Sequence, residues 1–195
     1  METKQGRPGY AREDVMRIAV REFNIRGYEA TSMGVLAQAL GVSKSAIYHH
    51  ISSKEELLKD ATDRALALLD ALVLESESST GSALEKLRGL IRGTTIALCN
   101  EPEYVTLLLR LRGNSDVEVE AMARRRDFTN YLVGLIRQAQ SEGSVSAELS
   151  PGASGRLLLG MVNSLVEWYS PEGALSAEQV ADIVETMAFS GLAEG

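Results

Sequence analysis

Cysteine, proline and aromatic residues are scarce in this 195-residue chain, and each shortage excludes a class of protein. The one cysteine, Cys99, excludes an internal disulfide and fits the reducing environment of the cytoplasm. There are only 4 prolines, and 5% of the residues are aromatic. Alanine, leucine, glutamate and arginine, which favour helices, are abundant. The composition therefore predicts an all-α protein.

Long apolar runs are also missing. No stretch approaches the roughly 20 apolar residues that a transmembrane helix needs. The first ten residues, "METKQGRPGY", lack the apolar core of a secretory signal. Hydrophobic residues make up 45% and charged residues 24%, which is an ordinary balance for a globular protein. We therefore expect a folded cytoplasmic protein without a membrane partner.

Charge is unevenly distributed along the chain. The formal net charge is −7, which at first argues against a nucleic-acid partner. Residues 1–54 hold eight Lys and Arg against five Asp and Glu, whereas residues 55–195 hold 12 against 22. A mildly basic N-terminal part on an acidic remainder indicates an anionic partner at one end only, although a solvated surface could produce the same asymmetry.

Three helices are predicted near the N-terminus, and the second and third are short. Apolar residues at spacings of three and four predict a first helix over 12–27, which ends at a glycine. A second helix follows Thr31 or Ser32 as N-cap and ends at Gly41, and Ser43 caps a third, "SKSAIYHHI". Two short helices joined by "GVS" form the helix-turn-helix pattern.

The remainder of the chain is predicted to be helical as well. Ser52 followed by Glu55 predicts a capping box at the start of a helix that runs to about residue 75. Five more helices are expected, and these lie at about 83–100, 102–112, 117–142, 151–169 and 177–192. About nine helices result. We expect a helix-turn-helix DNA-binding domain over 1–54 and a larger helical effector-binding and dimerisation domain over 55–195.

Enzymatic and metal sites find little support in the sequence. His49 and His50, the only histidines, are adjacent and lie about 100° apart on a helix, so both cannot chelate one ion from that helix. No serine lies between glycines on a nucleophile elbow, and no phosphate-binding glycine loop is present. We expect neither catalysis nor a cofactor.

DNA explains the residues of the third helix better. A major-groove helix presents its first turn to base edges, and its N–H groups and dipole face phosphate. Lys44 suits a phosphate or guanine acceptors, and Ala46 suits a thymine methyl group. Ile47, His50 and Ile51 are expected to point inward. The predicted DNA-binding residues are Thr31, Ser32, Ser43, Lys44, Ser45, Ala46, Tyr48, His49 and Lys54.

Each of these residues taken alone has a simpler explanation. Serines at helix starts are usually caps, a lone lysine is usually solvated, and Tyr48 could be a packing residue. Their joint occurrence on two short helices with the right turn favours DNA binding.

The segment "TSMGVLAQALGVSKSAIYHHISSKEELL" resembles the DNA-binding head of TetR/AcrR-type one-component repressors. The resemblance covers roughly residues 10–60. Two residues depart from it. Relatives often carry a charged or larger residue at the position of Gly34, and many carry a glycine at the position of Ser45. It implies a homodimer on a palindromic operator, paired through the last two long helices. The apolar residues of "RLLLGMVNSLVEW" and "AEQVADIVETMAFSGL" allow such an interface, although a buried helix pair in a monomer has the same periodicity.

The resemblance also implies a small-molecule effector held in the helical part. The residues expected to bind it are Tyr104, Arg110, Phe128, Tyr131, Asn163 and Trp168. "MVNSLVEWYSPEGALSAEQVADIVETMAFSGL", with "RRRD" upstream, is similar to actinobacterial repressors of fatty-acid and sterol degradation, many of which respond to acyl-CoA thioesters. An apolar tunnel would take the acyl chain and arginines the phosphates. The alternatives are an unrelated apolar effector, or an effector- or membrane-surface-binding protein without sequence-specific DNA binding.

Overall fold

The computed structural model describes residues 11–191, and this part of the chain contains nine α-helices and no strand. The helices are α1 (Arg12–Arg26), α2 (Met33–Leu40), α3 (Lys44–Tyr48), α4 (Lys54–Ser78), α5 (Ala83–Asn100), α6 (Pro102–Arg110), α7 (Asp116–Ser141), α8 (Pro151–Asn163) and α9 (Ala177–Phe189). A 3₁₀ turn, Ser164–Glu167, follows α8. The predicted all-α class and the number of helices are confirmed.

The chain divides into two compact units, and the boundary falls inside α4, after Ala61. We call the first unit the head, of which residues 11–61 are described, and the second unit the body, of which residues 62–191 are described.

The head is built by local signals that the sequence displays. Ser32 Oγ accepts a hydrogen bond from Val35 N at the start of α2, and Gly41 ends that helix in the left-handed conformation, with φ 67°. Ser43 Oγ accepts from Ala46 N and starts α3 in the same way. The apolar faces of α1, α2 and α3 are buried together. The main members of this core are Val15, Ala19, Phe23, Leu36, Leu40, Ile47 and Ile51.

Two details of the head differ from the prediction. α3 ends at Tyr48, and His50, which was expected to point inward, is exposed. α4 begins at Lys54, and its N-cap is Ser53, whose Oγ accepts a hydrogen bond from Glu56 N at 3.0 Å. The third residue of the helix is therefore Glu56. Glu56, rather than Glu55, therefore closes the cap, and its carboxylate accepts from Ser52 N at 2.8 Å.

The body is arranged around α5, which packs against α7, α8 and α9. Apolar residues of these helices form one buried core. Its largest fully buried members are Leu87, Leu90, Ile91, Leu98 and Leu132. Arg92 ties α5 to α9 through Asp182, with a distance of 2.6 Å between Nη1 and Oδ1.

Glycine permits a close approach of α7 and α8. A Cβ at Gly155 would lie 2.8 Å from Val133 Cγ2 and 3.1 Å from Leu132 Cδ2, so a larger residue would force the helices apart. The helix predicted over 151–169 ends earlier than expected, because the backbone tightens into the 3₁₀ turn after Asn163. α9 ends at Phe189, and Leu192, which was assigned to the same helix, lies outside the described residues.

Candidate functional site

Polar side chains line one exposed segment of the head, and we call this set the head surface. It consists of Ser32, Ser43, Lys44, Ser45, Tyr48 and His49, all of which are exposed. Ile47 lies between them on α3 and is buried, so it fixes the helix to the head core while its neighbours face solvent. Six of the nine predicted DNA-binding residues are therefore accessible to solvent, and five of them follow one another within residues 43–49.

The other three predicted DNA-binding residues are placed differently. Thr31 is 0% exposed, and its hydroxyl donates to the carbonyl of Gly27 at 2.8 Å, so this hydroxyl cannot reach a phosphate. Lys54 is half-buried, and its ammonium group donates to the carbonyl of Tyr28 at 2.8 Å and lies 4.0 Å from the centroid of the Tyr28 ring. Ala46 is half-buried on the first turn of α3.

The electrostatics of the head surface suit an anionic partner. No Asp or Glu occurs between Glu29 and Glu55, so the segment that forms α2 and α3 carries no carboxylate. At the start of α4, Arg12 pairs with both Glu56 and Asp60 and offsets their charge. Hydrogen bonds from Ser52 hold the pKa of Glu56 below its usual range, so this carboxylate stays charged and oriented as a cap. Lys44 has no ion pair among the described residues, and its charge faces solvent.

The body contains a cavity of about 520 Å³, which we call the body cavity. Residues of α4, α5, α6, α7 and α8 line it, and most of them are apolar. They include Leu68, Leu69, Leu98, Val105, Leu108, Phe128 and Leu159, together with the polar Thr94, Arg125, Thr129, Arg156 and Asn163. Among residues 11–191, no Asp or Glu lines the cavity. The volume and the lining are those of a site for a largely apolar small molecule.

Two of the six predicted effector-binding residues, Phe128 and Asn163, line the body cavity. Tyr131 lines a smaller neighbouring groove of about 360 Å³ between α4 and α7, and its hydroxyl donates to Ser76 Oγ at 2.8 Å. Phe128 borders both spaces.

The other three residues line neither space. Tyr104 is buried, and the Arg64 guanidinium lies 4.4 Å from its ring centroid. Arg110 is exposed at the end of α6. Trp168 is 58% exposed and packs edge-on against Tyr169, with 6.5 Å between the ring centroids.

Two arginines line the body cavity, and neither was among the six predicted effector-binding residues, although Arg125 lies within the segment 124–127 that the resemblance singled out. Arg125 is half-buried, and its Nη1 donates to the carbonyl of Leu108 at 2.8 Å, close to the end of α6. Burial lowers the pKa of the Arg125 guanidinium. Arg156 is exposed at another point of the lining. Helical spacing could have identified Arg125, because it shares a stripe with Ala121, Phe128 and Leu132 on the apolar face of α7.

The described residues contain neither a cluster of metal ligands nor a membrane-spanning helix. Among residues 11–191, no group of three or more His, Cys, Asp or Glu is placed to hold a metal ion. Within this range, no helix combines the length and the apolar character that crossing a membrane demands.

Comparison with known proteins assigns the chain. The family model "Bacterial regulatory proteins, tetR family" matches residues 15–61, and the model "Tetracyclin repressor-like, C-terminal domain" matches residues 80–192. SCO3833, a TetR-family transcriptional regulator of Streptomyces coelicolor, is 40% identical, with a TM-score of 0.87 over 98% of this chain and 94% of that structure.

Two further relatives cover nearly the whole chain. The transcriptional repressor KstR2 of Mycolicibacterium smegmatis is 26% identical over 192 residues, which cover 96% of this chain and 93% of KstR2. The structure of AibR in complex with isovaleryl coenzyme A and operator DNA is 28% identical, with a TM-score of 0.76 over 91% of this chain and 97% of AibR. The chain therefore belongs to the TetR family of helix-turn-helix transcriptional regulators, a class of DNA-binding proteins and not of enzymes.

Proposed function

We propose that this regulator is a repressor that binds a palindromic operator as a homodimer and is released by a small hydrophobic effector. Residues 1–54 would bind DNA, and residues 55–195 would bind the effector and dimerise. The observation that carries the proposal is the head surface, where Ser43, Lys44 and Tyr48 are exposed on a helix that Ile47 anchors from behind.

The contacts divide by chemistry. α3 enters the major groove, where Ser43, Lys44 and Ser45 face base edges and phosphates, and Ala46 faces a thymine methyl group. Tyr48 and His49 contact the backbone. At the start of α2, Ser32 and the neighbouring backbone N–H groups bind phosphate, whereas the buried Thr31 only supports that turn. Lys54 is held against Tyr28 and adds positive potential instead of a defined contact.

The last two long helices supply the surface for a second copy of the chain. Apolar side chains of α8 and α9 remain exposed in the single chain, and Leu157, Ile183 and Met187 are the largest of them. Exposed apolar residues on neighbouring helices favour association. A Leu157→Glu variant should therefore run as a monomer in light scattering and lose operator affinity. A dimer that survives this change would contradict the proposed interface.

The body cavity is the proposed effector site, and an acyl-CoA thioester is the effector class we propose. The apolar walls suit an acyl chain, and the arginines suit phosphate. The relative AibR binds isovaleryl coenzyme A and operator DNA, which supports this class. Effector binding would favour a body conformation in which α4 shifts the head. The free energy for release is then the effector's difference in affinity between the two states.

The first experiment measures the binding of DNA from upstream of the regulator's own gene by fluorescence anisotropy. The wild type should bind with a steep negative salt dependence, because phosphate neutralisation releases counterions. Lys44→Ala should weaken binding about tenfold or more and, if Lys44 contacts a phosphate in each half-site, reduce the salt slope of the dimer by about two. Lys86→Ala removes the same charge from the body and should leave binding unchanged.

Two outcomes would contradict the proposal. Folded wild-type protein that binds no fragment at low salt would favour an effector-binding protein without DNA recognition. Equal losses in the Lys44 and Lys86 variants would show that net charge alone, and not the head surface, drives binding.

A further inference from the structure

Within the described residues, Arg125 lacks the paired carboxylates that three other arginines of the chain have. Arg12, Arg92 and Arg124 each lie within 4.0 Å of two carboxylates, which raise the pKa of each guanidinium. Among residues 11–191, no carboxylate lies within that distance of Arg125, and the pKa of its guanidinium is lowered by burial. A half-buried charge without a counter-charge is costly, so folded proteins rarely keep one without a purpose.

The surroundings of Arg125 increase that cost. Its guanidinium has five N–H donors, and the single hydrogen bond described for it is the one from Nη1 to the carbonyl of Leu108. The body cavity that it lines has no acidic residue in the part of the chain that the structure describes. Arg156, on the same lining, also has no carboxylate within 4.0 Å among the described residues. The cavity thus combines apolar walls with positive charge that the described protein does not neutralise.

Building on the proposed effector function of the body cavity, we propose that Arg125 is the receptor for an anionic group, a carboxylate or a phosphate, on an otherwise apolar effector. Guanidinium and these oxyanions match in geometry and form short, charge-assisted hydrogen bonds. Arg125 lies on α7, and its Nη1 donates to the carbonyl of Leu108 near the end of α6. An anion bound to Arg125 would therefore affect the position of both helices. Asn163, whose amide lines the same cavity, offers a neutral polar contact to the rest of the ligand.

A purely structural role for Arg125 makes a different prediction, and this difference can be measured. If Arg125 only ties α7 to Leu108, its loss should weaken every ligand equally. If it receives an anion, its loss should weaken anionic ligands selectively. Three probes share one ten-carbon chain: decanoate carries a carboxylate, decanoyl-CoA carries phosphates, and decanol is neutral.

The experiment measures the affinity of the three probes for wild-type protein and for Arg125→Met by isothermal titration calorimetry. The variant should lose about tenfold or more in affinity for at least one anionic probe and less than about threefold for decanol. Loss with decanoate identifies the carboxylate as the group received, whereas loss with decanoyl-CoA alone identifies phosphate. Arg126→Met changes an exposed neighbour outside the cavity and should leave all three affinities unchanged.

The proposal would be overturned if the variant lost affinity equally for all three probes or for none of them. It would also be overturned if neither anionic probe bound the wild type. Melting followed by circular dichroism shows whether the variant is folded. If Arg125→Met does not fold, Arg125→Gln replaces it, because glutamine keeps an N–H donor for Leu108 and removes the charge. The DNA-binding experiment is separate. If the variant loses affinity for anionic probes selectively, but the wild type binds no operator, the repressor proposal fails and the proposal for Arg125 holds.

Discussion

The head and the body place their proposed functional residues in opposite ways. In the head, Ser43, Lys44 and Tyr48 lie outside a small apolar core. In the body, Arg125 and Asn163 line a cavity inside the helical unit. The proposed DNA contacts of the head are therefore exposed groups that need only be held in place. The proposed effector site of the body requires a space, and every helix around that space contributes to it.

This difference decided how much the sequence could predict. α2 and the start of α3 are defined by caps and a turn within the twelve residues from Ser32 to Ser43, so these boundaries follow from local chemistry, whereas the end of α3 does not. The cavity is lined by residues from Ala65 to Asn163, and which of them converge depends on long-range packing. Of the predicted effector-binding residues, Phe128 and Asn163 line this cavity, whereas Tyr104 and Trp168, predicted from their side-chain type, lie elsewhere.

Residue type also misled within the head. Thr31 and Ser32 both carry a hydroxyl at the start of α2, but one points into the core and the other caps the helix. Sequence spacing cannot separate two adjacent hydroxyls when either can be the cap. Ser52 and Glu55 matched a capping box, yet the helix begins one residue later. Such single-residue shifts are the usual limit of boundary prediction.

The largest stability effect should come from the walls of the body. Leu132 on α7 is 0% exposed, and Leu132→Ala should lower the free energy of unfolding by about 2–5 kcal/mol because it leaves a cavity. Leu74→Ala makes the same change at a side chain that is 69% exposed and should cost less than about 1 kcal/mol. Urea unfolding measures both, and equal losses would contradict the described core.

The close approach of α7 and α8 should be the next most sensitive feature. Gly155→Ala adds a Cβ 2.8 Å from Val133 Cγ2 and should destabilise the body by about 1–3 kcal/mol. Gly134→Ala makes the same change in α7 with nothing within 4 Å, and should stabilise it by up to about 1 kcal/mol. The comparison fails if both variants shift the unfolding midpoint in the same direction.

A smaller effect is expected where a proposed DNA-contacting residue of the head is also a helix cap. Ser43→Ala removes the oxygen that accepts from Ala46 N and should lower the stability of the head by about 1 kcal/mol. Ser45→Ala, two residues later, keeps the cap and removes only the exposed hydrogen bond between the Ser45 and Ser43 hydroxyls, so it should cost less than Ser43→Ala. Amide hydrogen exchange in α3 measures this difference. Identical exchange in the two variants would show that Ser43 does not support the helix.

The smallest effects should be those of pH on two exposed caps. Hydrogen bonds from Ser52 to Glu56, and from Ser82 to Glu85, lower the pKa of each carboxylate in the folded protein. A lowered pKa adds stability above the ordinary glutamate pKa, and this stability is lost as the pH falls through the lowered value. Acidification from pH 6 should therefore weaken both units slightly.

The matched variants for this prediction are Ser52→Ala in the head and Ser82→Ala in the body. Each should move the pKa of its own glutamate back toward the ordinary value and leave the other unchanged. Titration of the glutamate side chains by nuclear magnetic resonance measures both shifts. A pKa of Glu56 that does not respond to Ser52→Ala would show that the Ser52 hydroxyl is not its cause, since the variant keeps the backbone N–H donor.

The central claim is that the head surface and the body cavity are coupled, and reciprocal binding measurements test it most directly. Operator affinity is measured with and without saturating decanoyl-CoA, and decanoyl-CoA affinity with and without operator. Linkage requires the two ratios to be equal, and the proposed release predicts that each partner weakens the other by about 5- to 150-fold. If both bind and neither changes the affinity of the other, the two regions act independently and the account is contradicted.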